Sequence, residues 1–83
     1  MKYMVTWLPS ALNDLADIWN HALDRQAVTD AANRIEQALE KNADQKGQIH
    51  YGIRRIYVDA PLAVVFTPYP DDCRGFVIQI RRL

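Results

Sequence analysis

The chain has 83 residues, of which 49% are hydrophobic and 24% are charged, and a chain of that length has room for one hydrophobic core. We therefore expect a single domain spanning residues 1–83. No apolar run approaches the roughly 20 residues of a membrane helix and no secretory leader pattern opens the chain, so we expect a cytoplasmic protein with no membrane partner. Cys73 is the sole cysteine, which excludes an internal disulfide and a cysteine-based zinc site.

Ten basic and ten acidic residues give a formal net charge of zero, which argues against whole-molecule attraction to nucleic acid. The charge is unevenly divided, because residues 1–43 carry four basic and six acidic residues, whereas residues 44–83 carry six basic and four acidic ones. Two basic stretches without an acid, residues 48–58 and 73–83, lie in the second half. An anionic ligand is therefore expected to bind there.

The first half of the chain predicts a strand followed by two helices. Residues 2–8 are rich in β-branched and aromatic side chains and are stopped by Pro9, which is typical of a strand. Ser10 is the predicted N-cap of a first helix whose apolar stripe comprises Leu12, Leu15, Trp19 and Leu23, with Ile18 at its edge. Asp24 is the predicted cap of a second helix whose stripe comprises Val28, Ala32, Ile35 and Leu39. The two helices form a hairpin that ends in the polar stretch 42–47.

After Gly47 the hydrophobic period changes from 3.6 to 2, which predicts three successive strands at residues 53–58, 62–67 and 76–80. Short connections between them favour antiparallel pairing. The predicted fold class is α+β, in the order β-α-α-β-β-β, with a mainly antiparallel four-stranded sheet covered on one face by the helical hairpin. Alternation groups Arg55 with Tyr57, and Gln79 with Arg81, on the open sheet face.

Arginines of the basic half are the strongest candidates for binding a phosphate or a target: Arg54, Arg55, Arg74, Arg81 and Arg82. Guanidinium groups bind phosphate bidentately and stabilise charge that develops on it, although exposed arginines are also common solubilising residues. His50, beside the basic strand, is a candidate general acid/base. Asp14, Asp17 and His21 share a helix face, but that face lies opposite the apolar stripe, so we predict no metal site.

The chain resembles the toxins of the RelE/ParE superfamily of bacterial type II toxin–antitoxin systems. The resemblance rests on the order of the elements, on the opening strand ending in Trp7, on residues 9–15 and the pair Ile18-Trp19, on Gly-Ile-Arg-Arg-Ile at 52–56, and on the closing strand 76–82. It extends over nearly the whole chain. It implies a compact, growth-inhibiting protein that a cognate antitoxin keeps silent.

Members of this superfamily differ in target: RelE-like members cleave messenger RNA in the ribosome, using the RNA's own 2′-hydroxyl as nucleophile, and ParE-like members block DNA gyrase. By this resemblance Arg54 matches an arginine after the glycine of the second predicted strand, and Arg81 matches a basic position near the end of the last. Many members have Tyr-Arg where this chain has Pro61-Leu62. No tyrosine or histidine follows Arg82, where many ribonuclease members have their general acid/base.

We therefore expect a toxin that inhibits growth by binding a protein target such as DNA gyrase. One alternative is a metal-free, ribosome-dependent mRNA endoribonuclease in which Arg54, Arg55 and Arg81 bind the phosphate and His50 or Tyr57 moves the proton. Another is a degenerate toxin that retains only antitoxin binding. In each case no cofactor is expected. The antitoxin should dock on the apolar surface of the helical hairpin or on an unpaired sheet edge, and the chain alone is expected to be able to form a homodimer.

Overall fold

The computed structural model describes residues 2–83. The elements in chain order are β1 (Met4–Trp7), α1 (Pro9–His21), α2 (Arg25–Asn42), β2 (Gln48–Tyr51), β3 (Arg54–Asp59), β4 (Leu62–Tyr69) and β5 (Arg74–Arg82). Two short 3-10 turns, Ala43–Gln45 and Pro70–Asp72, lie in the connections before β2 and before β5. The predicted α+β class is confirmed. In chain order, the two helices follow the first strand and precede the other four.

The described residues form one five-stranded sheet in the order β1-β5-β4-β3-β2. The strand β1 runs parallel to β5, and the other neighbours are antiparallel. The prediction of four strands is wrong, because Gln48–Tyr51 forms an additional edge strand joined to β3 through Gly52, whose φ is +57°. All four residues of β2 are exposed, so the strand has no buried alternation for a hydrophobic pattern to reveal.

The centre of the core lies between α2 and the middle of the sheet. The predicted stripe of the second helix is confirmed, since Val28, Ala32, Ile35 and Leu39 are all buried, with Ala31 beside them. They pack against the fully buried side chains of β4 and β5, namely Leu62, Val64, Phe66 and Val77. The apolar stripe of the helix α2 and the apolar faces of the strands β4 and β5 thus form one hydrophobic layer, as expected of an α+β domain.

The predicted apolar stripe of α1 faces the core only in part, because Leu15 and the edge residue Ile18 pack against the core while the other members do not. Leu12, Trp19 and Leu23 are 51%, 40% and 105% exposed. The helix packs on β5 with Ala11 fully buried and with Leu15 and Ile18 half-buried. A small residue at this contact lets the helix backbone approach the strand closely, and the larger apolar side chains remain on the surface.

Polar side chains of α1 cover the edge of β5 beyond the end of β1. The Ser10 hydroxyl donates a hydrogen bond to the Ile78 carbonyl at 2.8 Å, and the Asp14 carboxylate accepts one from the Ile80 amide at 3.2 Å. The predicted N-cap role of Ser10 is therefore wrong, because α1 begins at Pro9 and the Ser10 side chain binds the sheet. These bonds satisfy backbone groups that would otherwise form a free sheet edge.

Candidate functional site on the open sheet face

Both helices lie on one face of the sheet and leave the other face open. Directly opposite residues of paired strands share a face, and the pair Phe66 and Val77 is fully buried under the helices. The pairs that alternate with it therefore form the open face: Ala63 with Arg81, Val65 with Gln79, Thr67 with Phe76, and Tyr69 with Arg74. The prediction that Gln79 and Arg81 lie on the open face is confirmed.

Three of the five candidate arginines lie on this open face. Arg74 and Arg81 are paired with open-face residues of β4, and Arg54 follows by alternation, since its neighbour Arg55 is paired with the buried Phe66. All three are exposed. Arg54 and Arg81 are offset by four residues along the sheet and by two strands across it, which separates their Cα atoms by roughly 16 Å. The positive charge is thus spread over more of the sheet than a single phosphate covers.

The Arg81 side chain is oriented by its neighbour on the same strand. With the Gln79 amide turned so that its oxygen faces the guanidinium, that oxygen accepts hydrogen bonds from the Arg81 Nε and Nη2 atoms, both at 3.1 Å. A guanidinium held in this way loses less conformational freedom when it binds a carboxylate or a phosphate. Arg81 is therefore the preorganised cation of the open face.

A cleft of about 670 Å³ lies at the opposite end of the open face from Arg81. Its lining is partly aromatic and partly charged: Leu8, Thr67, Tyr69, Asp72, Arg74, Phe76 and Ile78. The Tyr69 and Phe76 rings meet edge to face, with centroids 5.6 Å apart. Aromatic walls with a cation at the rim suit a macromolecular partner that presents an apolar side chain next to an anionic group.

The other site residues proposed on β3 lie on the helix side of the sheet. Tyr57 is paired with the buried Val64 and packs against the core, and Arg55 is paired with Phe66, so the prediction that both face the open side is wrong. The Arg55 Nε atom donates to the Lys46 carbonyl at 2.6 Å and its Nη2 atom donates to the Gly47 carbonyl at 3.0 Å. Arg55 thus fixes the turn before β2.

Arg82 also lies on the helix side, where it forms an ion pair. Its Nη2 atom donates to the Asp24 carboxylate at 2.7 Å, at the start of α2. That hydrogen bond lowers the pKa of Asp24 and raises the pKa of Arg82. Asp24 occupies the predicted N-cap position, but its side chain makes no capping bond because it binds Arg82. The pair joins the end of β5 to the connection between the helices.

His50 is exposed on the edge strand β2, three strands away from β5, so the structure does not bring it next to Arg81. The aromatic residues Tyr69 and Phe76 were missed as site residues by the sequence analysis. The predicted strand ended at residue 67, before Pro68, whereas β4 continues through Tyr69. The alternation of Thr67 with Tyr69 was the signal that could have placed both on one face.

Within the described part of the chain, no cluster of three or more His, Cys, Asp or Glu side chains could hold a metal ion. The acids of α1 have other partners: the Asp14 carboxylate accepts a hydrogen bond from the Ile80 amide, and the Asp17 carboxylate lies 3.5 Å from the His21 Nδ1 atom. Among residues 2–83 there is also no helix that combines the length and the apolar character needed to cross a membrane.

Sequence comparison finds no matching family model and no matching curated protein. Solved structures do match. A chain of the toxin–antitoxin complex RelBE2 from Mycobacterium tuberculosis has a TM-score of 0.82 at 9% identity, and the match covers 100% of this chain and 93% of that one. A chain of the chromosomal ParDE TA system from P. aeruginosa has a TM-score of 0.80 at 20% identity, covering 99% of this chain and 97% of that one.

A mutant of the E. coli toxin RelE in the free state is also similar, with a TM-score of 0.68 at 12% identity over 99% of this chain and 84% of that one. The match to each structure covers nearly the whole chain, so it includes both helices and the sheet. The chain therefore has the fold found in these toxin and toxin–antitoxin structures, and the fold that the sequence resemblance implied is confirmed.

Proposed function

We propose that this chain is the toxin component of a type II toxin–antitoxin system, neutralised by a cognate antitoxin and inhibiting growth by binding a protein target such as DNA gyrase. The observation that carries the proposal is the structural similarity over 99–100% of the chain to proteins from two toxin–antitoxin systems and to a third toxin, at TM-scores of 0.68–0.82. The sequence resemblance, based on residue order and spacing, supports the same function independently of that superposition.

The arrangement of the open face favours target binding over RNA cleavage. Arg54, Arg74 and Arg81 are exposed there, but Tyr57 lies on the opposite face against the core, and the Arg55 guanidinium is bonded to two backbone carbonyls. A general acid/base has to come within hydrogen-bond reach of the atoms between which it moves a proton. Among the proton-transfer groups named from the sequence, His50 alone is left for that role.

An aromatic cleft beside exposed arginines is also the composition expected of a protein-binding surface. Tyrosine, phenylalanine and arginine are enriched in the cores of protein interfaces, where they combine a large contact area with directed polar bonds. Tyr69, Phe76 and Arg74 provide that combination, with Arg81 and Arg54 further along the same face. We expect the growth target to contact this surface.

The surface of the helical hairpin is a second candidate interface. Leu12 and Trp19 are exposed on α1, and Leu23 is exposed just beyond its end. A groove of about 350 Å³ runs between α1 and α2, with Val28 and Ala32 among its lining residues. The Arg25 guanidinium stacks over the Trp19 ring at 4.6 Å and leaves the rest of this apolar strip open. Antitoxin binding here would cover side chains that otherwise contact water.

The proposal is tested by induced expression in bacteria of the wild type and of the double variant Arg54→Ala/Arg81→Ala. Growth, transcript ends and plasmid supercoiling are measured in the same cultures. The matched control is Lys2→Ala/Lys41→Ala, which also removes two surface cations but leaves the open face unchanged. We expect growth arrest with intact transcripts and altered supercoiling, both lost in the arginine variant and retained in the control.

Each other outcome selects a different function. New transcript ends that accompany the arrest and disappear in the double variant would identify an endoribonuclease and refute the proposed target class. Growth that continues with the wild type would favour a degenerate toxin, and binding to the antitoxin would then be its remaining activity. Arrest that persists in the arginine variant at equal protein level would mean that the open face does not contact the target.

A further inference from the structure

The cleft at the Arg74 end of the open face has a polar group at its floor. Thr67 lines this cleft together with the aromatic side chains of Tyr69 and Phe76, and we call the site the aromatic cleft. Although Thr67 belongs to the open face, it is only 5% exposed. It therefore lies at the floor, below wall residues such as Tyr69, which is 43% exposed.

The hydroxyl of Thr67 opens into the cleft. None of the hydrogen bonds found among residues 2–83 involves this hydroxyl. In the same part of the chain no fully enclosed side-chain oxygen or nitrogen lacks a partner, so the hydroxyl is not sealed in the core but reaches the solvent of the cleft. A group that displaces water from the floor has to replace the hydrogen bonds that the hydroxyl makes to water.

The lining of the aromatic cleft carries one charge of each sign. Arg74 and Asp72 are both exposed there, and neither belongs to an ion pair found among residues 2–83. The formal charge of the lining is therefore zero. A nucleic-acid backbone carries a negative charge at every phosphate and gains no net attraction from such a lining. An uncharged side chain of a protein is compatible with it, because protein interfaces surround an apolar centre with a polar rim.

We propose that the aromatic cleft binds a tyrosine side chain of the growth target, with the phenol hydroxyl hydrogen-bonded to the Thr67 hydroxyl. This inference rests on the proposed function and names the chemistry of the contact. The tyrosine ring packs against Tyr69 and Phe76, and the Thr67 hydroxyl can either donate to the phenol oxygen or accept from it. A tyrosine that fills a pocket in this way is a typical anchor of a protein interface.

Other side chains fit the cleft less well. A phenylalanine or a leucine would contact the same walls but would leave the Thr67 hydroxyl without a partner once water is excluded, and a buried polar group without a partner is destabilising. A tryptophan carries its N–H on the side of the indole ring. In tyrosine the hydroxyl lies at the far end of the ring axis, which is the end that reaches the floor of a cleft first.

The test compares two capped amino acids as probes of the full chain, N-acetyl-L-tyrosinamide and N-acetyl-L-phenylalaninamide, which differ by the phenol hydroxyl alone. Binding at millimolar concentration is measured by NMR from the signals of the Thr67 methyl group and the Phe76 ring. We expect both signals to shift, and we expect the tyrosine probe to bind about fivefold more tightly or better, since one hydrogen bond distinguishes the probes. Thr67→Val replaces the hydroxyl with a methyl group and should abolish this preference.

Growth arrest is measured on the same variant and on a matched control. The control is Thr29→Val, which makes the same replacement on an exposed residue of α2, on the other side of the sheet. Thr67→Val should need at least fivefold more protein to arrest growth, whereas Thr29→Val and the hydroxyl-retaining Thr67→Ser should stay within twofold of the wild type. Because the two probes are compared on the wild-type chain, that comparison decides the matter even if Thr67→Val fails to fold.

The outcomes separate this inference from the proposed function. Equal affinities for the two probes, or no shift of the Thr67 and Phe76 signals, would overturn the inference even if the wild type arrests growth. If uridine 5′-monophosphate shifts these signals and the tyrosine probe does not, the cleft is a nucleobase site and the inference is wrong. A wild type that prefers the tyrosine probe but does not arrest growth would refute the proposed function, and with it the growth target as the source of the tyrosine. A preference that Thr67→Val loses together with growth arrest is the result that supports the inference.

Discussion

The neighbouring arginines of β3 should behave in opposite ways when each is replaced by alanine. The Arg55 guanidinium donates two hydrogen bonds to the carbonyls of Lys46 and Gly47, whereas Arg54 is exposed on the other face of the sheet. Arg55→Ala removes both bonds and leaves two carbonyl groups to find other donors. Arg54→Ala removes only a solvated side chain, so it should affect the binding of a partner rather than the fold.

The size of the difference follows from the hydrogen bonds. A bond to a charged group contributes about 1.5–3 kcal/mol, and water can replace part of it here because Arg55 is only half-buried. We expect Arg55→Ala to lower the free energy of unfolding by about 2 kcal/mol, since the two bonds are lost together and partly replaced. For a domain of this size that corresponds to a fall in Tm of roughly 8–16 °C. Arg54→Ala should stay within about 0.5 kcal/mol of the wild type.

The assay is thermal and urea unfolding followed by circular dichroism, with growth arrest measured on the same variants. Arg55→Lys serves as the control for charge, because it keeps the cation but loses the fork geometry that reaches both carbonyls. It should recover less than half of the lost stability. Equal stability of Arg54→Ala and Arg55→Ala, or a neutral Arg55→Ala, would refute the assignment of Arg55 to the fold.

Two further predictions concern positions outside the open face. Gly47→Ala should prevent or strongly destabilise folding, because φ is +67° there and an added Cβ would overlap the Ile56 carbonyl oxygen. Gly52→Ala should lower the free energy of unfolding by only about 1 kcal/mol, the strain of its positive φ, since no atom lies within 4 Å of the added Cβ. The urea unfolding midpoints of the two glycine variants test this prediction, and an equal loss of stability in both would contradict it. Burial and Asp44 raise the pKa of Tyr3 from 10.0 to about 12. The stability that this shift contributes is complete below pH 10 and is lost as the pH rises through about 12. The urea midpoint of the wild type should therefore fall between pH 10 and 12, and that of Tyr3→Phe should fall less. Parallel plots of midpoint against pH for the two proteins would count against this assignment.

The sequence predicted the elements whose side chains alternate between core and solvent. The stripe of α2 has four apolar positions at helical spacing, and the helix buries that stripe between α1 and the sheet. The strands β4 and β5 are long and rich in valine, isoleucine and phenylalanine, so their period of two is clear. In these elements local propensity and tertiary burial favour the same structure, and prediction from pattern succeeds.

Prediction failed where an apolar pattern did not mark the core. The predicted stripe of α1 is as regular as that of α2, but of its four members only Leu15 packs against the core, beside Ala11 and Ile18. Hydrophobicity measures the tendency of a side chain to leave water and cannot distinguish a core contact from a partner contact. The exposed members of the stripe are the side chains on which antitoxin docking is proposed.

The face of β3 was assigned wrongly for a related reason. Arg55 and Tyr57 alternate with Arg54, Ile56 and Val58, and both sets contain polar and apolar residues. Only the pairing with β4 decides which set is covered: Tyr57 lies opposite the fully buried Val64. Strand register depends on the whole sheet, so a single strand with two mixed faces carries too little information to fix it.

Arg54 and Arg81 lie at different ends of the open face, and the groove between α1 and α2 lies on the other side of the sheet. The growth target is proposed to bind the open face and the antitoxin to bind the helical hairpin. Arg54→Ala and Arg81→Ala should therefore weaken growth arrest without changing antitoxin affinity. Loss of antitoxin affinity in either variant at unchanged stability would mean that the two surfaces are not separate, and this assignment would fail.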